Sequence, residues 1–207
     1  MINVLLVEDQ KIDKRMVESI ILQSREYKLA ATLENAANAE IACMKGNIDL
    51  VLMDVCTADD ESGIKAAAKI KKRNPDIRII IMTSMPEYTF ISKAKAAGCD
   101  SFWYKEYGTA ELPDVMARTI AGESVYPADI PKIMIGDADS NEFTEREFDV
   151  LRQLTLGNKY DEIAENLYIS SDTVKYHTKN LLQKTGYRRT LQLVADVVGK
   201  RLVMPKF

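Results

Sequence analysis

The chain has 207 residues, with 28 Lys/Arg against 31 Asp/Glu, a net charge of −3 and 46% apolar residues. That composition supports a packed core in one large domain or two of roughly 100 residues, and it excludes a disordered or fibrous chain. Three cysteines without a CxxC pair exclude a disulfide framework or zinc knuckle, and no apolar run approaches the ~20 residues of a membrane helix.

Met1 leads straight into a strand-like run, so no secretory leader and no membrane partner are expected and the location reads as cytoplasmic. Residues 2–7 are an apolar, β-branched run that predicts a buried strand, and an amphipathic helix is expected over 11–24. The alternation continues with strands at 28–33, 49–54, 77–83 and 101–104 and helices at 38–45, 64–73, 87–97 and 110–122. Near-continuous apolar strands separated by helices predict a parallel sheet covered on both faces, so this half reads as a doubly wound, five-stranded α/β domain over residues 1–122. Residues 123–141 carry Pro127, Pro131 and Gly136 without periodicity and read as a linker.

From residue 142 to 207 the strands stop and an all-α domain of four helices is expected. Thr144 and Glu147 have capping-box spacing at the start of the first, which stops at Gly157. The second covers about 160–167, and after Tyr168-Ile169-Ser170 a third runs over 171–184. Two helices joined by a tight turn inside a small bundle read as a helix-turn-helix. The fourth, 190–202, places Leu191, Val194, Ala195, Val198 and Leu202 on one stripe, which reads as core; being terminal, the helix also has an outer face free to dimerise. Residues 168–207 hold eight basic and two acidic side chains, and a basic end on an acidic chain points to nucleic acid. His177, the one histidine, lies near a packed face and reads as structural.

Ligands of open α/β sheets bind outside the carboxyl ends of the strands. The residues there are Glu8 and Asp9 after the first strand, Asp54 ending the third, Thr83 ending the fourth and Lys105 after the fifth. Three carboxylates converging on one edge repel one another and need a cation, and hard oxygen donors suit Mg2+. One carboxylate is then free to attack a phosphoryl group and form an acyl phosphate, with the lysine and threonine holding phosphoryl oxygens.

These five positions, in this order on these strand ends, resemble the receiver domain of two-component response regulators. The resemblance implies that Asp54 accepts the phosphoryl group from a sensor histidine kinase. It also implies that Glu8, Asp9, Asp54 and the backbone carbonyl of Cys56 hold Mg2+, and that Lys105 and Thr83 serve the transfer. Thr83 and Phe102 would form the switch, with Trp103 on the opposite strand face in the core. The loop after Asp54 departs from the family: Thr57-Ala58-Asp59-Asp60-Glu61 replaces its usual Met-Pro, and Gly63 comes one residue late. An altered lifetime of the phosphoryl group is therefore expected. Glu106 also stands where a proline commonly follows the lysine.

The second half is similar to the LuxR-type DNA-binding domain of NarL/FixJ regulators, through Phe143-Thr144-Glu145-Arg146-Glu147, Gly157–Ala164 and Ile169–His177. On the third helix Val174, Thr178, Leu181 and Leu182 form an inward stripe. That leaves Lys175, Tyr176, Lys179 and Gln183 outward, at the spacing of a helix lying in a major groove. By that resemblance Lys175, Tyr176 and Lys179 contact base edges of double-stranded promoter DNA, Lys184, Arg188 and Arg189 contact phosphates, and Leu191, Val194 and Val198 join two copies as a homodimer. The whole reads as a transcriptional response regulator rather than an enzyme, phosphorylated on Asp54 to control dimerisation and DNA binding. The alternative, motivated by the altered 57–62 loop, is a regulator governed without phosphorylation by a protein or small molecule. A phosphohydrolase fits less well, because no Asp-x-Asp pair supplies a second acid.

Overall fold

The computed structural model describes residues 1–207 apart from 86, 88, 109, 130, 201 and 204–207, and apart from the side chains of 60 and 107. It divides into two compact units, residues 1–84 with 90–129, and residues 130–207 with 85–89.

In the first unit, strands β1 (Ile2–Val7), β2 (Tyr27–Leu33), β3 (Leu50–Asp54), β4 (Arg78–Thr83) and β5 (Ser101–Tyr104) form one parallel sheet in the order β2-β1-β3-β4-β5. Helices α1 (Lys11–Gln23), α2 (Ala39–Lys45), α3 (Gly63–Arg73), α4 (Thr89–Ala96) and α5 (Leu112–Ile120) connect them. Alternate residues of the central strands, Val4 and Leu6, Leu50 and Leu52, Ile80 and Met82, with Trp103, pack with Val17 and Ile21 of α1 and with Leu112 and Met116 of α5. The intervening Leu5, Val7, Val51, Met53, Ile79 and Ile81 are buried on the opposite face, where α3 packs against β3 and β4. Both faces are dry, which is why these strands lack polar alternation. Trp103 lies in the core as expected.

Strand order reverses between β1 and β3, and their register sets what meets at that switch point. Val7 pairs with Met53, so Glu8 and Asp54 emerge side by side. Asp54 pairs with Met82, one residue before Thr83, and Thr83 pairs with Tyr104, one residue before Lys105. Four strand ends thus deliver their polar residues to one edge.

The irregular loop after Asp54 folds into a small hairpin, Cys56–Thr57 against Glu61–Ser62. Asp59 takes the left-handed conformation (φ 61°), which Asp tolerates better than most side chains, and this accommodates the extra residue. Asn35 secures the turn by donating to Ala58 O (3.0 Å) and Asp59 Oδ2 (2.9 Å), and Ala36 N–H donates to Thr57 Oγ1 (2.9 Å).

The stretch read as irregular linker is more ordered than its composition implied. The Phe102 N–H donates to Val125 O (2.9 Å), the Val125 N–H to Ser101 Oγ (3.0 Å), and the Tyr126 hydroxyl to Cys99 O (2.7 Å). The start of the segment is thereby strapped to the open edge of β5. In the second unit, Met134–Ile135 and Ala138–Asp139 form a two-stranded hairpin, and Ile135 and Ala138 enter that unit's core. Two-residue strands are too short to leave a periodic trace in the sequence.

Helices α6 (Glu145–Thr155), α7 (Tyr160–Leu167), α8 (Ser171–Thr185) and α9 (Thr190–Gly199) surround Phe148, Leu151, Ile163, Val174, Leu181, Leu193 and Val197. The Thr144/Glu147 capping box starts α6 as expected, and Ser170 caps α8 through the Thr173 N–H (3.1 Å). Tyr168 in the left-handed region ends α7 and makes the tight turn of the helix-turn-helix. Among the described residues, no helix is long and apolar enough to cross a membrane.

Gly63 opens α3 where a Cβ would lie 1.8 Å from the Asp54 carbonyl oxygen. Gly63→Ala should therefore destabilise the chain by about 3 kcal/mol through overpacking, whereas Gly199→Ala, in open space, should cost nothing. Urea midpoints of the two variants check this; equal midpoints would contradict the close approach.

Candidate functional site

The first site is the edge where β1, β3, β4 and β5 end. Carboxylate oxygens of Glu8, Asp9 and Asp54 all lie within 4.8 Å of one another. Glu8 and Asp54 are buried and Asp9 is half-buried. Three carboxylates converge here, the donor chemistry that a hard divalent cation takes, and so the residues fit such an ion.

Lys105 reaches into the cluster and is itself only 6% exposed. Its ammonium lies 2.6 Å from Glu8 Oε2, 2.9 Å from Asp13 Oδ2 and 3.0 Å from Asp54 Oδ1. Backbone donors complete the shell: the Gln10 N–H to Glu8 Oε1 (3.1 Å) and the Cys56 N–H to Asp54 Oδ2 (3.1 Å). Burial raises Glu8 and Asp54 above the usual carboxylate range, and the charge of Glu8 adds to the shift on Asp54; Lys105 opposes both. Burial alone would lower Lys105, but the charges of Asp54 and Glu8 and the hydrogen bonds to Glu8 and Asp13 carry it above its ordinary value.

Every strand-end residue read from the sequence is at this edge. Thr83 is buried at the end of β4, one residue beyond Met82, the register partner of Asp54, and Cys56 follows on the small hairpin. Phe102 is buried, edge-on to Tyr104 (centroids 5.0 Å) and stacked on Tyr126 (6.5 Å, 29° between planes). Lys95 lies over the Tyr126 ring at 4.7 Å. Sequence reasoning missed Asp13. An acid in a first helical turn ordinarily reads as a partner of the helix dipole, and nothing local signals a lysine 92 positions away.

The second site is the outer face of α8. Lys175, Tyr176, Lys179 and Gln183 are exposed, while Val174, Thr178 and Leu181 are buried and Leu182 is partly buried against the core. Lys175 pairs along its own helix with Asp172 (2.9 Å), and Arg188 and Arg189 are exposed in the turn before α9. Half-buried His177 lies edge-on to Tyr176 (5.5 Å).

Two sequence expectations meet different geometry. Lys184, expected to face DNA phosphates, donates to Glu147 Oε2 (2.7 Å) and Glu142 O (2.7 Å). The reason is the capping box. Its Glu147 is buried, and although burial by itself raises the carboxyl, Lys184 and the Thr144 donors outweigh that and lower it. Of the stripe read as core, Leu202, just past α9, is buried in the core and Val194 packs against it, but Leu191 (77%) and Val198 (50%) are exposed, and Leu193 and Val197 fill the core from α9 instead. The helix is rotated from that reading because apolar residues occupy both its faces, so periodicity alone does not choose between them.

Two family models match the chain: the response regulator receiver domain over residues 4–117, and the bacterial regulatory proteins of the luxR family over 141–195. The chain therefore belongs to the response regulators that join a receiver domain to a LuxR-type DNA-binding domain and regulate transcription.

Among its relatives, the response regulator protein VraR of Staphylococcus epidermidis is 30% identical over 207 residues, covering 98% of this chain and 99% of that protein. VraR of Staphylococcus aureus matches to the same extent. The RcsB response regulator of Salmonella typhimurium shares the fold, with a TM-score of 0.58 over 96% of this chain and 98% of that one at 20% identity. A LuxR-family two-component response regulator from Aurantimonas has a TM-score of 0.56 at 26% identity, covering 59% of this chain and 87% of that one.

The raised Glu8 and Asp54 carboxyls have a consequence for stability. Between the ordinary value of 3.8 and about 7, folded Asp54 binds a proton that the unfolded chain has released. Metal-free protein should therefore become more stable as pH falls from about 7 toward 5, and Asp54→Asn should flatten that rise. Calorimetric melts in EDTA test it; identical pH slopes for the two proteins would contradict it.

Proposed function

We propose that this response regulator is phosphorylated on Asp54 by a sensor histidine kinase and thereby controls its binding to double-stranded promoter DNA. The observation that carries the reading is the convergence of Asp54 with Glu8 and Asp9 within 4.8 Å and with the buried Lys105 at 3.0 Å. Residues 1–122 act as the receiver, 123–141 as the connection and 142–207 as the output domain.

Glu8, Asp9, Asp54 and the Cys56 carbonyl would hold Mg2+, which when bound neutralises charge on the carboxylates and the incoming phosphoryl group. An Asp54 carboxylate oxygen attacks phosphorus, the P–N bond of the donor phosphohistidine breaks, and an acyl phosphate remains on Asp54. Lys105 gives up its hydrogen bond to Asp54 and pairs with a phosphoryl oxygen, and the Thr83 hydroxyl donates another. Thr83 and Phe102 convey the change along β4 and β5. Because Phe102 stacks on Tyr126, the segment following α5 senses the same movement.

On the output domain, Lys175, Tyr176 and Lys179 read base edges while Arg188 and Arg189 hold phosphates. Leu191 and Val198, exposed on α9, form the apolar patch through which two copies pair; RcsB, which shares the fold at a TM-score of 0.61, is seen as two dimers bound to two parallel DNAs. The setting is the cytoplasm, and the protein acts as a switch rather than as an enzyme on external substrates.

With Mg2+ and acetyl phosphate, the wild type should gain one phosphoryl mass that hydroxylamine removes, and Asp54→Asn should gain none. Undiminished labelling of the variant would overturn the acceptor. Labelling of neither, with DNA binding intact, would instead favour control by a protein or small-molecule partner.

For the DNA face, Lys179→Ala should cost about 1–3 kcal/mol on a specific site and relax preference at one base. Arg189→Ala should weaken specific and scrambled DNA alike and reduce the salt slope by about one. Titrations of both DNAs at several salt concentrations separate the two. Equal weakening of both DNAs by Lys179→Ala would leave that lysine an electrostatic role only.

A further inference from the structure

The Lys105 ammonium has three N–H donors, and three carboxylates from three parts of the chain surround it: Glu8 from the end of β1, Asp54 from β3 and Asp13 from the first turn of α1. Two of these partners have other work in the proposed phosphorylation, on which this inference rests. Glu8 and Asp54 belong to the group of oxygens that would hold a divalent cation, and Asp54 also becomes the acyl phosphate. Asp13 is not in that group among the described residues. Its side chain is 26% exposed, so water reaches it while Lys105, at 6%, stays dry.

A buried ammonium that loses its partners one after another either moves or stays unpaired at high cost. We propose that Asp13 is a positioning residue: it keeps Lys105 at the sheet edge, aimed at the phosphoryl site, when the metal draws off Glu8 and phosphorylation converts Asp54. Its position in the first turn of α1 suits the task, because that turn follows β1 after three residues and is not part of the loop after Asp54. The same contact makes Asp13 act through the lysine and not on the metal or phosphorus.

Beryllofluoride, a stand-in for the phosphoryl group on an aspartate, can be titrated with saturating Mg2+ through the fluorescence of Trp103, the chain's one tryptophan. Asp13→Asn keeps the shape and removes the charge, and it should weaken beryllofluoride binding three- to tenfold. The same substitution in a Lys105→Ala background should have no further effect, because contacting residues are non-additive. A second readout does not depend on phosphoryl chemistry. With Mg2+ present, acylation of the Lys105 amine by an N-hydroxysuccinimide ester, read by peptide mass, should rise at least threefold in Asp13→Asn; Asp13→Ser repeats the test should the first variant fold poorly. Unchanged beryllofluoride affinity and unchanged Lys105 acylation would overturn the proposal. An equal effect of Asp13→Asn with and without Lys105 would also overturn it, leaving only a long-range field. If the wild type bound no beryllofluoride while Asp13→Asn still exposed Lys105, the phosphorylation reading would fall and Asp13 would remain a holder of the lysine in the resting protein alone.

Discussion

The receiver depends on one buried cation. Glu8, Asp54 and Lys105 have almost no contact with water, and an uncompensated charge in such a place costs several kcal/mol. Carboxylates gathered this closely hold their positions only while something positive lies among them. In the resting protein that is the Lys105 ammonium, which ties β5 to β1, β3 and α1 at once. The arrangement is poised because the partners of the lysine are also the groups from which a cation site would be made. Binding at this edge would therefore redistribute charge among contacts that already exist and that span β1, β3, β5 and α1.

The path away from the edge is short. Lys105 directly follows β5, and Phe102 lies on the same strand, stacked on Tyr126 and edge-on to Tyr104. Val125 and Tyr126 are hydrogen-bonded to that strand and to Cys99 just before it. The exit of the chain from the receiver is thus fastened to the strand that carries the lysine, a physical link that requires no large motion within the sheet. The loop beyond Asp54 is held independently, by Asn35 and Thr57, so its unusual sequence forms a defined turn at the border of the site.

In the output domain the polar residues divide between holding the helices and leaving a face free. Lys184 neutralises the buried capping-box Glu147 and joins the end of α8 to the start of α6, so a cation of α8 is used for architecture. Lys175, Tyr176 and Lys179 remain outward because Val174, Thr178 and Leu181 claim the core side. Leu191 and Val198 on α9 stay uncovered beside a complete core of Leu193 and Val197.

Among the described residues, the sequence by itself determined the strands of the parallel sheet, helices α1 to α9 to within a few residues, and the arrival of Glu8, Asp9, Asp54, Thr83 and Lys105 at one edge. Those features are written in local periodicity and in the rule that parallel strands present their carboxyl ends together. The inward stripe of α8 was legible for the same reason, since the helical repeat fixes which residues share a face. Only the tertiary structure decided the rest. Asp13 meets Lys105 across 92 residues, Lys184 turns to Glu147 across 37, and Tyr126 stacks on Phe102. The core side of α9 is likewise chosen by what packs against it, because both of its faces are apolar. Each depends on which surfaces come to lie opposite one another in space, a matter of long-range packing and charge balance that no local pattern encodes.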